Sequence, residues 1–231
     1  MSRPIIYLIP SQLDESGFDA LPLSNLSAIK ECNVFFVENL RTTRRYLKKI
    51  WKEIEIDSYE WFVMNDDDSV SEFRNKLEEG KTIGIISEAG CPGVADPGQQ
   101  LVTIAHELNA VIRPLVGPSS ILLALMGSGM NGQQFQFNGY LPIKQPERNK
   151  VIKELEAESL KKKCTQIFIE TPYRNNQLVE DLINSCQPKT KICIAVDLTG
   201  KDQMINTKKI EDWRKSKPHI HKRPAIFLLQ A

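Results

Sequence analysis

The sequence predicts an α/β protein built as two successive α/β domains, and three observations carry that prediction. Short runs of β-branched and aromatic residues alternate with helix-period segments over the first half, which is the pattern of βα units and a mostly parallel sheet. The alternation resumes after Gly117-Pro118, giving an N-terminal domain over 1–116 and a C-terminal α/β domain over 117–231. A chain of 231 residues is also long enough to bury two small cores.

In the first part the strand candidates are "IIYLI" from Ile5, "VFFVE" from Val34, "YEWFVM" from Tyr59, "TIGIIS" from Thr82 and "AVIRPLV" from Ala110. The acidic segment "NDDDSVSE" invites a cation, but Ser69 and Glu72 stand at the spacing of a capping box, with no EF-hand glycine or closing glutamate behind them. It reads as a helix start. The strand "TIGIIS" runs into Ser87–Gly98, "SEAGCPGVADPG", with three glycines and two prolines in twelve residues. Such a loop, at the C-terminal end of a parallel strand, lies where open α/β sheets hold ligands, and glycine lets backbone approach closely. A complex structural turn is the plain alternative. Beyond it, Asp96 is placed to cap a helix with Pro97 at its first position, and Leu101, Ile104, Ala105 and Leu108 recur on one face.

The second part opens with "SSILLALM", a buried helix capped by Ser119 or Ser120, and the strand "FQFNGYLP". A charged helix over 146–163, the strand "CTQIFIE", the helix "NNQLVEDLINSC", the strand "KICIAVDL", a short helix "KIEDWRKS" and the strand "PAIFLLQ" complete it.

Composition narrows the function classes. Thirty Lys and Arg against 29 Asp and Glu leave no bulk charge to draw nucleic acid, so any basic footprint is local. Five cysteines without a C-x-x-C pair, mostly in apolar segments, suit reduced thiols and a cytoplasmic protein. The apolar core of "MSRPIIYLIPSQ" is too short for a secretory signal, and no run nears the roughly 20 residues that span a bilayer. The pattern G-x-G-x-x-G at Gly127 to Gly132 closes a helix-like run instead of joining a strand to a helix, so it is no dinucleotide fingerprint. His219 and His221 would share one strand face, yet with His106 they are the only histidines, and no metal site is expected. A nucleophile elbow is absent too.

Five stretches, "IIYLIPSQL", "FFVENLRTTRRYLKK", "SEAGCPGVADPG", "LVGPSSILLAL" and "IFIETPYR", together resemble the tetrapyrrole methylase superfamily of S-adenosylmethionine-dependent methyltransferases in order and spacing. Within it they are most similar to the branch acting on small-subunit ribosomal RNA, whose patterns read like S-D-A-G-x-P-x-x-x-D-P-G, E-D-T-R, P-G-P-S/C and F-Y-E-S-P-H-R. The resemblance implies two α/β domains of the tetrapyrrole methylase type with the S-adenosylmethionine cleft between them. It also implies a homodimer, no metal, and 2′-O-methylation of a cytidine in ribosomal RNA.

Carried over motif by motif, cofactor contacts fall at Pro10, at Ser87, Glu88, Ala89, Gly90 and Val94, and at Ser119 and Ser120. Ile169, Leu198 and Ala225 follow from strand position as pocket walls. For substrate, Arg41, Arg44, Arg45, Lys48 and Lys49 on one helix, with Arg174, are placed to hold phosphates; a solvated helix face is the alternative. Glu38 and Glu170 each close a strand and are the candidate catalytic carboxylates for proton loss from a ribose hydroxyl. Either could instead cap a helix or pair with Arg41 or Arg174. The chain departs from the branch in its first loop, "PSQLDESGFDALP", in "ENLR" for E-D-T-R, and at Glu88, Cys91 and Tyr173, where Asp, Thr and His are usual. Those departures keep two further readings open: a methyltransferase of a tetrapyrrole or other small molecule, and a non-catalytic S-adenosylmethionine-binding or assembly protein.

Overall fold

The unbroken apolar runs of the first half end up where only a two-sided core can bury them. In the computed structural model, which describes residues 3–64 and 67–231, the chain divides into the units Met1–Ser119 and Ser120–Ala231. The first contains β1 (Ile5–Ile9), α1 (Asn25–Glu31), β2 (Val34–Val37), α2 (Leu40–Ile50), β3 (Glu60–Val63), α3 (Asp67–Glu78), β4 (Ile83–Ile86), α4 (Gln99–Glu107) and β5 (Val111–Pro114). Among the described residues its strands form one five-stranded sheet, ordered β3-β2-β4-β1-β5, with every pairing parallel. Every residue of β2 and β4 is buried, as expected of central parallel strands covered by helices on both faces. Successive side chains then serve opposite cores. Phe35 and Val37 pack with Ile29 and Leu47 of α1 and α2, whereas Val34 and Phe36 pack with Phe73 and Leu101 of α3 and α4.

The second unit contains α5 (Ser120–Ser128), β6 (Phe135–Tyr140), α6 (Gln145–Lys162), β7 (Thr165–Ile169), α7 (Asn175–Ser185), β8 (Lys191–Val196), β9 (Met204–Lys209), α8 (Ile210–Trp213) and β10 (Ala225–Gln230). Its sheet, ordered β6-β7-β10-β8-β9, is mixed: β6 and β7 run parallel, and the other pairs are antiparallel. Phe168 and Phe227 stack at 6.0 Å within a core shared with Leu178, Leu182 and Trp213. No helix among the described residues is long and apolar enough to cross a membrane.

Four local expectations change. Asp96 does not cap the helix after the glycine-rich loop: Pro97 O accepts from Gly93 N at 3.1 Å and so belongs to the loop, and Gly98, at φ 119°, becomes the N-cap of α4. Ser69 lies inside α3, which starts at Asp67, and is not its cap; Asn65 and Asp66 of the acidic segment lie outside the described residues. The strand β9 has no counterpart in the expected elements, because an edge strand reading "MINTKK" exposes half of its side chains, buries none fully and carries little apolar signal. His219 and His221 sit in no strand; they belong to the segment that leads into β10.

One buried ion pair organises the second unit's helices. Arg148 of α6 is 3% exposed and its Nε donates to Asp181 Oδ2 of α7 at 2.7 Å, with Nη2 on the same oxygen. Gln145 and Gln177 donate to Asp181 Oδ1 at 2.9 and 3.2 Å, and Arg148 Nη1 reaches Ile143 O at 2.8 Å. Both charges are thus fully hydrogen-bonded, the condition for tolerating burial. Replacing Asp181 by Ala strands the guanidinium and is expected to cost about 3–5 kcal/mol in chemical denaturation, whereas an Arg148→Met/Asp181→Leu double variant recovers most of that loss. Equal losses in the two would show that the pair is not the source.

Candidate functional site

Loops leaving the C-terminal ends of β1, β4 and β5 meet at one edge of the first sheet, and their backbones show why. Ser11 N donates to Gly90 O at 2.9 Å and Gly90 N to Ser11 O at 3.2 Å, an isolated antiparallel bridge between the first and second loops. Ser11 Oγ adds a bond to Ser87 O at 2.8 Å. Gly90 makes this bridge at φ +75°, a conformation that L side chains resist, and a Cβ there would also stand 3.3 Å from Leu13 Cδ2. The third loop comes in through Gly117, where a Cβ would lie 2.2 Å from the Pro10 ring, so glycine is what lets the two loops touch. Cys91 Sγ reaches Pro118 O at 3.5 Å, and burial followed by the Asp96 charge pushes its thiol pKa up, keeping it protonated. Tyr46 Oη, its own pKa raised by burial, donates to Pro10 O at 2.9 Å.

Two carboxylates of this loop, Glu88 and Asp96, lie near a third, Glu38. Glu38, directly after β2, accepts from Glu88 N through Oε2 at 2.8 Å. No ion pair joins it to Arg41 among the described residues. Asp96 is pushed up to about 6, first by burial, then by the charge of Glu38 and more weakly of Glu88, with a hydrogen bond from Ser87 opposing the rise. The Asp96-Pro97 pair imitates a helix cap in the sequence; Gly98 is the signal that the loop continues past it. Ala95 at φ 64° adds backbone strain beside it.

S-adenosylmethionine fits this donor set. Its sulfonium and ammonium would meet carboxylates that otherwise repel one another, and its amino and hydroxyl groups would meet loop carbonyls and Gln12 Oε1, which is buried without a partner among the described residues. Among the described residues no three His, Cys, Asp or Glu side chains are grouped to hold a metal ion.

The cations of α2 divide by packing. Arg44 lies 5.3 Å over the Trp61 ring and 3.5 Å from Asp57, Lys48 Nζ donates to Ile54 O at 2.6 Å, and Lys49 Nζ sits 3.4 Å over Phe18. Arg41 and Arg45 are exposed and carry no such contact among the described residues. Asn39, which departs from the E-D-T-R pattern, still caps α2 by accepting from Arg41 N and Thr42 N.

Ser119 closes the first unit and Ser120 opens α5. Within the second unit, Ile169, Leu198 and Ala225 lie at a common sheet edge: β10 runs antiparallel to β7 and β8, pairing Ile226 with Ile169 and Ala225 with Val196. Glu170 follows β7 at that edge, 4% exposed. Its Oε1 accepts from Thr171 N and Arg174 Nη2, both at 2.6 Å, and its Oε2 is buried with no partner among the described residues. The pairing with Arg174 weighed from sequence is therefore formed.

A family model described as tetrapyrrole (corrin/porphyrin) methylases matches residues 17–213. A ribosomal RNA small subunit methyltransferase I of Vibrio cholerae is 28% identical over 87% of this chain and 67% of its own length. That of Micromonospora olivasterospora is 30% identical over 77% of this chain, which spans about half, 54%, of that relative. Among solved structures, the methyltransferase CobJ superposes with a TM-score of 0.65 at 17% identity, covering 99% of this chain and 94% of its own. Diphthine synthase gives 0.68 at 11%, covering 98% and 90%. These structural likenesses concern the fold.

The Asp96 geometry sets a pH dependence. With its pKa raised from 3.8 to about 6, folded Asp96 holds a proton that the unfolded chain has released, so its destabilising effect is complete above pH 6 and fades as pH falls towards 4. Solvent screens this half-exposed group, and Asp96→Asn is expected to stabilise by about 1 kcal/mol at neutral pH, with no advantage near pH 4. Denaturation midpoints across that range check it; a variant less stable at neutral pH contradicts it.

Proposed function

The chain belongs to the tetrapyrrole methylase family, whose members take their methyl group from S-adenosylmethionine, and from that premise we propose that it 2′-O-methylates a nucleotide of small-subunit ribosomal RNA. The observation that carries the reading is the meeting of the Pro10, Gly90 and Gly117 loops beside Glu38, Glu88 and Asp96. Pro10, Ser87, Glu88, Ala89, Gly90, Val94 and Ser119 are the groups proposed to hold the cofactor, chiefly through main-chain atoms. Ser120, Ile169, Leu198 and Ala225 rest on the resemblance alone. When bound, the cofactor supplies an electrophilic methyl group.

The RNA acceptor is supported by the names of relatives at 28–30% identity and by the two uncommitted arginines of α2, Arg41 and Arg45. Arg44 contributes less, being spent on Trp61 and Asp57. Glu38 is the proposed proton acceptor, its Oε1 remaining after Oε2 has taken Glu88 N. Glu170 acts by positioning Arg174 toward a phosphate. The cytoplasm is the proposed compartment, supported by five unbridged cysteines. A homodimer is proposed from the exposed Leu122 and Met126, four residues apart on α5, and light scattering at the single-chain mass would refute it.

With purified protein, methyl-labelled S-adenosylmethionine and small ribosomal subunits, label is expected in an alkali-resistant dinucleotide, the mark of a 2′-O-methyl group. Label on a base, or none while calorimetry still detects cofactor binding, would overturn the assignment. In RNA binding, an Arg41→Ala/Arg45→Ala variant is expected to flatten the dependence of log affinity on log salt by about one to two units and leave cofactor affinity unchanged. An unchanged slope would make α2 a solvated face.

A further inference from the structure

The turn after β7 and the segment before β10 build a surface apart from the residues proposed to hold the cofactor. Tyr173 is 69% exposed, yet the backbone carrying it is tied down. Lys222 N donates to Pro172 O at 2.9 Å, Ile220 N to Asn176 Oδ1 at 2.9 Å and Asn175 Nδ2 to Arg223 O at 2.6 Å, while Asn176 Nδ2 meets His219 Nδ1 at 3.2 Å. These bonds hold His221 edge-on to Tyr173, with centroids 6.1 Å apart at 77°, and His219 6.4 Å beyond it. The Lys222 ammonium stands 5.8 Å from the Tyr173 ring, on a residue kept at φ 63°. A left-handed lysine costs about 1 kcal/mol and persists only where its surroundings impose it.

Charge completes the surface. The stretch 214–223, "RKSKPHIHKR", has five Lys or Arg and no acid. Lys215 pairs with Asp212 and Arg223 with Asp197, whereas Lys217 and Lys222 are exposed and form no ion pair among the described residues. Among the described residues no further His, Cys, Asp or Glu joins the two imidazoles to make a metal site. Rigid exposed rings flanked by cations that form no ion pair among the described residues match what an unpaired nucleotide requires: a face to stack on and a charge for its phosphate. Duplex RNA, its bases enclosed, would leave the rings idle.

We propose that Tyr173, braced edge-on by His221 with His219 beyond it, is a stacking platform for an unpaired base of single-stranded RNA, with Lys217 and Lys222 on the adjoining phosphates. The proposal rests on the RNA reading above and deepens it, since it states that the strand is taken single-stranded and where one of its bases is read. It also gives a role to Tyr173, one of the chain's departures from the family pattern.

The test uses fluorescence anisotropy with a labelled single-stranded oligoribonucleotide and its duplex. Tyr173→Ala, at so exposed a position, keeps its melting temperature; it is expected to weaken single-strand binding about tenfold or more, as loss of one stacked base does, with an unchanged salt slope. Tyr173→Phe retains affinity. Lys222→Gln flattens the slope by about one unit. Oligonucleotide carrying 4-thiouridine is expected to photo-crosslink to the peptides holding Tyr173 or His221. If Tyr173→Ala binds as the parent does while the Arg41/Arg45 variant is impaired, the platform is refuted and the RNA reading stands. If the parent binds neither strand yet labels small ribosomal subunits, the platform alone falls; if it binds S-adenosylmethionine but neither binds the strands nor labels the subunits, both fall.

Discussion

The candidate site depends on one constraint: the loop after β4 must follow a path that side chains forbid. Its bridge to Ser11 uses Gly90 at positive φ, Ala95 is forced into the same region, and Gly98 turns the chain into α4. Once that path is fixed, Glu88 N points at Glu38, Asp96 is drawn in among like charges, and Cys91 rests on the loop after β5. The strain and the charge repulsion are both built into this loop. A cationic ligand bound there would relieve the second and return part of the cost of building the loop.

The second unit handles polar groups differently. Arg148 and Asp181 are buried and saturated with partners, so they act as structure. Glu170 is equally buried but half satisfied: one oxygen has two donors and the other none among the described residues. Burial is the same for the two carboxylates; it is their hydrogen bonding that differs.

Much of this was legible in the sequence, for physical reasons that differ by element. The strands β2 and β4 announce themselves because double-sided burial admits only apolar residues. The glycine-rich loop was legible because positive φ leaves a compositional trace. Asp96 was misread because capping rules are local, whereas its environment is made by Glu38, distant in sequence and brought near by the β2–β4 pairing. Counting charges on α2 could not reveal that Trp61 claims Arg44, and the alternation His219-Ile220-His221 imitates a strand although hydrogen bonds to Asn176 fix it otherwise.

The sheet orders carry a consequence for how the chain acquires its shape. β1 is made early during synthesis but lies between β4 and β5, so its pairing waits until residues as far as Pro114 have emerged. In the second unit the last strand, β10, fills the middle position between β7 and β8. Neither half can therefore close progressively from the ribosome outward. Each waits on a late segment with its hydrophobic strands uncovered, a high-contact-order route that invites chaperone attention, and a nascent chain halted before Ala225 would have a gap where the second sheet should join.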